Sequence, residues 1–598
     1  MSLGQAAGQP QVNAADVILA SLRRHGIEFL FANPGTDFPP IVEGFARAKL
    51  SAAEVPRPIL VPHENLAVAM AHGAYLMTGA PQAVMVHVNV GTANTINLLA
   101  NAARDRVPLL LMAGRTPIQE QGAFGARSRP IHWAQEMFDQ AGMVREFVKW
   151  DYELRNPAQA SAVVARALEV AMASPRGPVY LTLPREPLSA ASASDGLEAP
   201  RQPPSSAHPD PTLIDRLADW LAAAERPLLI ASSLGRSGED AGQLAQLAER
   251  FGLPVVVHSP RFLCLPSDHP LHHGFDPHPL LPDSDLIVVI EADVPWLPGT
   301  RTPAPTARLV HIGEDPAYVR YPMRSYPSHL SIAAAAGAAL RALGDALDER
   351  AAADGGRLAQ RRAWAVARAA RLRSEAQAKL AADAPHISPT YLSRCIGEMA
   401  GPDGLIFNEY QLRLEHCART QPGSYFALSP AGGLGWSVGA ALGAKLAAPE
   451  RFVTAVIGDG GMIFANPTAC HWVAETQQLP IAVVIFNNAR YGAVRNATLA
   501  MFASGAAGRE NGTGLADLSP EPGLRTLCRG AWRLCGTRGA PSGASRHVVG
   551  RTHSRAQGAA ARPGERYHAL LTGPAIGRAG YAMAVARSRT VAKCSRPQ

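Results

Sequence analysis

Cysteine is scarce and unpatterned in this 598-residue chain. Cys264, Cys395, Cys417, Cys470, Cys528, Cys535 and Cys594 are odd in number and form no CxxC pair, which argues against a disulfide framework or a zinc ribbon and points to a reducing compartment. No uninterrupted apolar run reaches the roughly 20 residues of a membrane span. Ser2 to Gln11 is polar, without the basic flank and apolar segment of a secretory signal. A cytoplasmic protein with no membrane partner is the expectation. Charged residues are also few, 18% against 47% hydrophobic, which excludes a disordered chain and leaves room for about three or four globular domains.

The net charge of +8 is unevenly spread. Residues 521–598 hold fourteen basic and two acidic residues, and the remainder holds 43 basic and 47 acidic, so a tail of +12 follows a body of −4. The tail has no aromatic interleaving of the nucleic-acid-binding kind, and no nucleic-acid partner is expected.

Short apolar runs alternate with helical patterns through most of the chain. Phe29–Phe31, Ile59–Val61, Ala83–Val86, Pro108–Met112 and Val179–Leu183 form a first group. Pro227–Ile230, Pro254–Val257, Leu286–Ile290 and Leu309–Ile312 form a second, and Leu405–Phe407, Phe452–Ile457 and Ile481–Phe486 a third. Apolarity that is continuous rather than alternating marks strands buried on both faces, hence parallel sheets between helices. The fold class is α/β, with three doubly wound parallel-sheet domains. Their expected bounds are 12–187, 212–347 and 385–520, separated by a Ser/Pro-rich linker (188–211) and a helical one (348–384). Beyond 520 the patterning stops, and the last domain is expected to lack its final elements. One account of the 521–598 tail is a reading-frame shift. Ala531–Gly536 can be encoded by codons that, displaced by one nucleotide, read His-Gly-Gly-Tyr-Ala-Glu.

The strongest chemical signal is Gly458-Asp459-Gly460 at a strand end, followed by a helix and a second strand ending in Asn487-Asn488. Adjacent parallel strands would bring a carboxylate and an amide together, oxygen ligands suited to Mg2+ holding phosphate, while glycines let the backbone approach a diphosphate. This element resembles the diphosphate and metal motif of the thiamine diphosphate enzymes, in the branch of acetolactate synthase and benzoylformate decarboxylase. The resemblance covers about residues 12–520 and implies pyrimidine-binding, central and diphosphate-binding domains in that order. It also implies Mg2+ ligation by Asp459, the Asn488 side chain and the Arg490 carbonyl.

The same resemblance gives His63–Gly73 the H-E-x-x-A-x-x-x-A-x-G pattern, with Glu64 as the catalytic carboxyl that hydrogen-bonds the aminopyrimidine. Its chemistry runs through a thiazolium C2 carbanion and an enamine. In Gly432-Gly433-Leu434-Gly435, Leu434 would wedge beneath the cofactor, with Gly432 in the same loop, and Gln411 would contact the cofactor. His87 and Thr36 would serve the substrate, a small 2-oxo acid. Asp293–Pro298 lacks the second histidine of benzoylformate decarboxylase-type enzymes, whereas Gln135-Glu136 resembles acetolactate synthase. Ala231–Arg236 lacks a glycine cluster, which argues against FAD. The expected activity is decarboxylation of a 2-oxo acid. Acetolactate synthase-type carboligation, or a non-catalytic relic if the C-terminus is disrupted, are the alternatives. The family arrangement implies a homodimer or homotetramer.

Overall fold

A computed structural model describes residues 12–192, 196–236, 238–351, 356–383, 388–509, 514–520, 523–524 and 582–587. Three sheets, all parallel, organise them. The first joins β1 (Phe29–Ala32), β2 (Arg57–Leu60), β3 (Gln82–Val86), β4 (Leu109–Arg115), β5 (Asp151–Glu153) and β6 (Val179–Pro184) in the order β2-β1-β3-β4-β6-β5. The second joins β7 (Pro227–Ala231), β8 (Val255–Val257), β9 (Leu286–Ile290), β10 (Arg308–Gly313) and β11 (Leu330–Ala333) in the order β11-β10-β9-β7-β8. The third joins β12 (Leu405–Asn408), β13 (Tyr425–Ala427), β14 (Val453–Gly458), β15 (Ala482–Asn487) and β16 (Ala582–Arg587) in the order β13-β12-β14-β15-β16.

The continuous apolar runs behave as their composition dictates. Every residue of β3, β6, β7 and β9 is buried. Four strands escaped the sequence pattern, each for a local reason. Asp151–Glu153 is half-buried, Leu330–Ala333 alternates buried and exposed, and Tyr425–Ala427 is only three residues long. The fourth falls within 521–598: Ala582–Arg587 pairs in parallel with β15, from Ala482 with Ala582 to Asn487 with Arg587. Its run Ala-Met-Ala-Val-Ala-Arg is too rich in alanine to stand out as a strand. The Ala531–Gly536 segment lies outside the described residues.

The chain gathers into two compact units. One takes the residues up to Ser205 together with Ser429–Pro449 and Ala465–Leu479, and the other takes the rest. Within the first, α1 (Ala14–Arg24) starts on a capping box between Asn13 and Asp16, and α2 is Pro39–Ser51. Helix α3 (Glu64–Thr78) packs on the Trp436–Ala447 helix. Their backbones touch. A Cβ on Gly73 would lie 1.9 Å from the Ala440 carbonyl oxygen, and one on Gly443 would lie 1.8 Å from that of Met70. The small residues of both helices therefore serve contact, and Trp436 Nε1 donates to His72 Nδ1 at 3.1 Å across the seam. Helix α4 (Val88–Arg104) follows β3.

Chain order also locates the functional ends of two sheets. In the first, β2 lies on one side of β1 and β3 on the other, so the connections reverse direction between β1 and β3. In the third the reversal falls between β12 and β14. A crevice opens beyond the carboxyl ends of strands at such a point, which is where open α/β sheets bind ligands. Among the described residues no helix is long and apolar enough to cross a membrane.

Candidate active site

The first crevice collects the residues that follow β1 and β3. Thr36 and His87 line one cavity with Asp37, Arg115, Gln135 and Arg185. Asp37, which the sequence reading passed over, is buried and hydrogen-bonded through Oδ1 to His87 Nδ1, while its Oδ2 accepts the Val88 N–H at 3.3 Å. The Asp37 hydrogen bond holds the His87 imidazole above its ordinary pKa, with burial opposing it and the Asp37 and Glu64 charges assisting. Gln135 Nε2 stands 3.4 Å from His87 Nε2. Neighbouring Glu136 accepts from Thr116, Arg115 and Arg127 at 2.5, 2.9 and 2.5 Å. Burial would raise its pKa, and these donors and charges outweigh it and hold the carboxylate below its usual range.

Glu64 opens α3, where a carboxylate suits the helix N-terminus. Its Oε2 accepts from Asn94 Nδ2 at 2.6 Å. Asn94 belongs to a stripe on α4 that sequence reasoning missed. Asn97 Nδ2 donates to the Leu434 carbonyl at 3.1 Å, and Asn101 bonds both the N–H and the carbonyl of Gly433. Spacings of three and four residues put the three amides on one helix face, so a single helix holds Glu64 at one end and the Gly432–Gly435 loop at the other. Gly432 and Gly435 take φ of +73° and +81°, a left-handed conformation that favours glycine. The signal was available in the sequence as Asn-x-x-Asn-x-x-x-Asn after His87.

The second crevice belongs to the other unit. Gly458 ends β14, and Asp459, Gly460 and the following residues begin a short helix. Gln411 stands by Gly458, where an added Cβ would meet Gln411 Nε2 at 3.5 Å. Asp459 is 3% exposed, and its Oδ1 accepts the Gly460 N–H at 3.0 Å. Its Oδ2 is buried without a hydrogen-bond donor. Burial pushes its pKa up, against the backbone N–H groups around it. Beyond β15, Asn487 Oδ1 accepts from Ala489 N–H and Asn488 Oδ1 from Arg490 N–H, both at 3.1 Å, folding the chain into a tight loop. The Arg490 carbonyl accepts from the Gly492 N–H at 2.9 Å. A buried carboxylate oxygen lacking a donor, with amide and carbonyl oxygens at the end of the adjacent strand, is a hard-oxygen donor set that fits Mg2+.

Three family models cover these regions. The N-terminal thiamine pyrophosphate-binding domain matches residues 12–143, the central domain 214–343, and the C-terminal thiamine pyrophosphate-binding domain 409–521. Benzoylformate decarboxylase of Pseudomonas aeruginosa is 30% identical over 495 residues, 79% of this chain and 85% of that protein. Acetolactate synthase of Mycobacterium bovis is 26% identical over 509 residues, 81% of this chain and 77% of that one. The structure of the thiamine diphosphate-dependent 4-hydroxybenzoylformate decarboxylase of Rhodococcus jostii RHA1 superposes with a TM-score of 0.69 at 23% identity, covering 87% of this chain and 93% of that one, which shows a shared fold. With Thr36, His87 and Gln135 inside the first matched segment and Gln411, Asp459 and Asn488 inside the last, the chain belongs to the thiamine pyrophosphate enzyme family.

Proposed function

We propose that this enzyme is a thiamine diphosphate- and Mg2+-dependent decarboxylase of a 2-oxo acid, of the benzoylformate decarboxylase kind. The observation that carries the reading is the cavity in which Thr36 and His87 meet beyond β1 and β3. When bound, thiamine diphosphate supplies an electron sink for breaking the bond between a carboxylate and a carbonyl carbon.

Each residue then has a physical task. Asp459, through the oxygen that lacks a donor, would hold Mg2+ with the Asn488 side chain and the Arg490 carbonyl. Gly458 and Gly460 would let the backbone come close to a diphosphate, and Gln411 stands beside Gly458. Leu434, on the loop that contains Gly432 and is tied to α4, would support the cofactor ring. The Glu64 carboxyl would hold a proton against an aminopyrimidine nitrogen, its orientation set by Asn94. Thr36 would offer its hydroxyl to the substrate carboxylate, and His87 a hydrogen bond to a substrate oxygen.

A second reading, carboligation of the acetolactate synthase kind, is favoured by Gln135 beside His87. A third is a cofactor-binding chain without turnover, motivated by the +12 tail. The protein is further inferred to be a cytoplasmic homodimer or homotetramer. The test is CO2 release from a panel of 2-oxo acids that includes benzoylformate and pyruvate, run alongside calorimetric titration with thiamine diphosphate and Mg2+. Release with aldehyde formation supports decarboxylation, and release with acetolactate formation supports carboligation. Cofactor binding without release points to the third reading, and no cofactor binding by folded protein ends all three.

A further inference from the structure

Three features around His87 coincide. Its Nδ1 meets a buried carboxylate fifty residues away in sequence. The second oxygen of that carboxylate is engaged by the backbone N–H of Val88, a β-branched residue held at φ +33°. Such a residue at positive φ is strained, and the surrounding structure must maintain it. The pair also occupies space that only glycine leaves free. A Cβ on Gly35 would fall 2.1 Å from His87 Nδ1, and one on Gly114 would fall 1.7 Å from Asp37 Oδ2. Two strand ends are thus shaped around one hydrogen-bonded pair.

The charges facing His87 make this pairing consequential. Arg115 and Arg185 line the same cavity, as does His132. Arg115 is neutralised by Glu136 and Glu153. Arg185 instead donates to the carbonyls of Gly125, Ala126 and Thr36 at 2.7, 2.8 and 3.3 Å. Partial burial favours a neutral imidazole at His87. Asp37 opposes this, aided by the more distant Glu64.

We infer that Asp37 is the positioning residue of the substrate site: its carboxylate fixes a proton on His87 Nδ1 and turns Nε2 toward the cavity beside Gln135, and its negative charge against the ring favours the doubly protonated form. His87 then presents an N–H to a substrate oxygen rather than a lone pair. Gln135, whose amide can turn either its oxygen or its nitrogen toward Nε2, accommodates both charge states. Only the catalytic meaning of the pair rests on the decarboxylase reading, since the pair itself does not depend on it.

Diethyl pyrocarbonate, which modifies neutral imidazole, tests this on the full-length protein without substrate. The rate of His87 modification is followed by peptide mass spectrometry between about pH 5.5 and 9, with His87→Gln confirming the peptide. The half-point is expected above 6.5, the ordinary histidine value, and Asp37→Asn should lower it by about one unit, a tenfold change in the neutral fraction near neutrality. A wild-type half-point at or below 6.5 overturns the inference even if the variant fails to fold. So does a folded Asp37→Asn protein with an unmoved half-point. Where benzoylformate is turned over, the variant should also lose the alkaline part of its kcat profile with little change in KM. Absence of turnover counts against the decarboxylase reading and leaves the titration result standing.

Discussion

Asn101 and Gly433 exchange two hydrogen bonds: the amide nitrogen of Asn101 donates to the Gly433 carbonyl at 2.8 Å, and the Gly433 N–H returns to Asn101 Oδ1 at 2.9 Å. Both groups are buried, so removing the amide strands two backbone polar atoms at a cost of about 2 to 4 kcal/mol. Asn101→Leu should lower stability to urea by that order and weaken thiamine diphosphate binding about tenfold or more by calorimetry. Asn97→Ala removes one 3.1 Å bond and should have the smaller effect.

The Glu64 carboxyl is held at 2.6 Å by Asn94 rather than by a charged partner. Glu64→Gln preserves shape and removes the acid, so the fold and cofactor affinity should change little. Exchange of the C2 proton of bound thiamine diphosphate, followed by NMR in D2O, should slow by about 100-fold or more. Unchanged exchange would remove Glu64 from the catalytic set.

The Asp459 oxygen without a donor predicts that cofactor binding needs a divalent ion. EDTA should abolish thiamine diphosphate binding, and Mg2+ should restore it. Asp459→Ala should show no Mg2+ dependence and should lose at least about 100-fold in affinity, because a buried charged ligand is removed outright. Metal-independent binding by the wild type would contradict the assignment.

The contact between α3 and the Trp436–Ala447 helix leaves no space for a methyl group at Gly73 or Gly443. Gly73→Val should cost about 3 kcal/mol or more, by overpacking against backbone that cannot yield. Soluble yield and thermal unfolding report it. Gly79→Asn, at φ +67° with open space around it, is the mild control.

Acid sensitivity should come from buried histidines, three of them in the central domain and a fourth, His471, in the helix Pro467–Thr476. His272, His273 and His311 are each pushed down to about 4, burial being the first cause, and His311 also faces Arg324 at 3.3 Å. The unfolded chain takes up protons near 6.5 while the folded one does not until about 4, so stability falls as pH drops through that window. At pH 5 the loss is about 2 kcal/mol for each histidine. His87 has the opposite sign: its contribution is complete below 6.5 and fades as pH rises through its raised value. Urea midpoints measured between pH 7 and pH 5 should fall, less steeply in His311→Gln.

The fold class was legible because parallel strands buried on both faces demand uninterrupted apolar runs, and Ala83–Val86, Leu286–Ile290 and Phe452–Ile457 are such runs. The two crevices were legible because each opens at a strand end marked by glycine and a polar residue. Tyr425–Ala427 and Ala582–Arg587 were not legible, because a short strand or one with alternating alanine draws its stability from its neighbours in the sheet rather than from its own composition.

By its own chemistry, then, the sequence determined three parallel-sheet layers, the Gly458–Gly460 turn and a carboxylate at the start of α3. Only the tertiary structure decided that Asp37 meets His87, that three asparagines of α4 tie Glu64 to the Leu434 loop, and that Gly73 lies against Ala440. The reason is physical. Local patterns report how a segment buries its own surface, whereas a hydrogen bond between residues fifty or three hundred positions apart depends on strand order and helix crossing, which no single segment encodes.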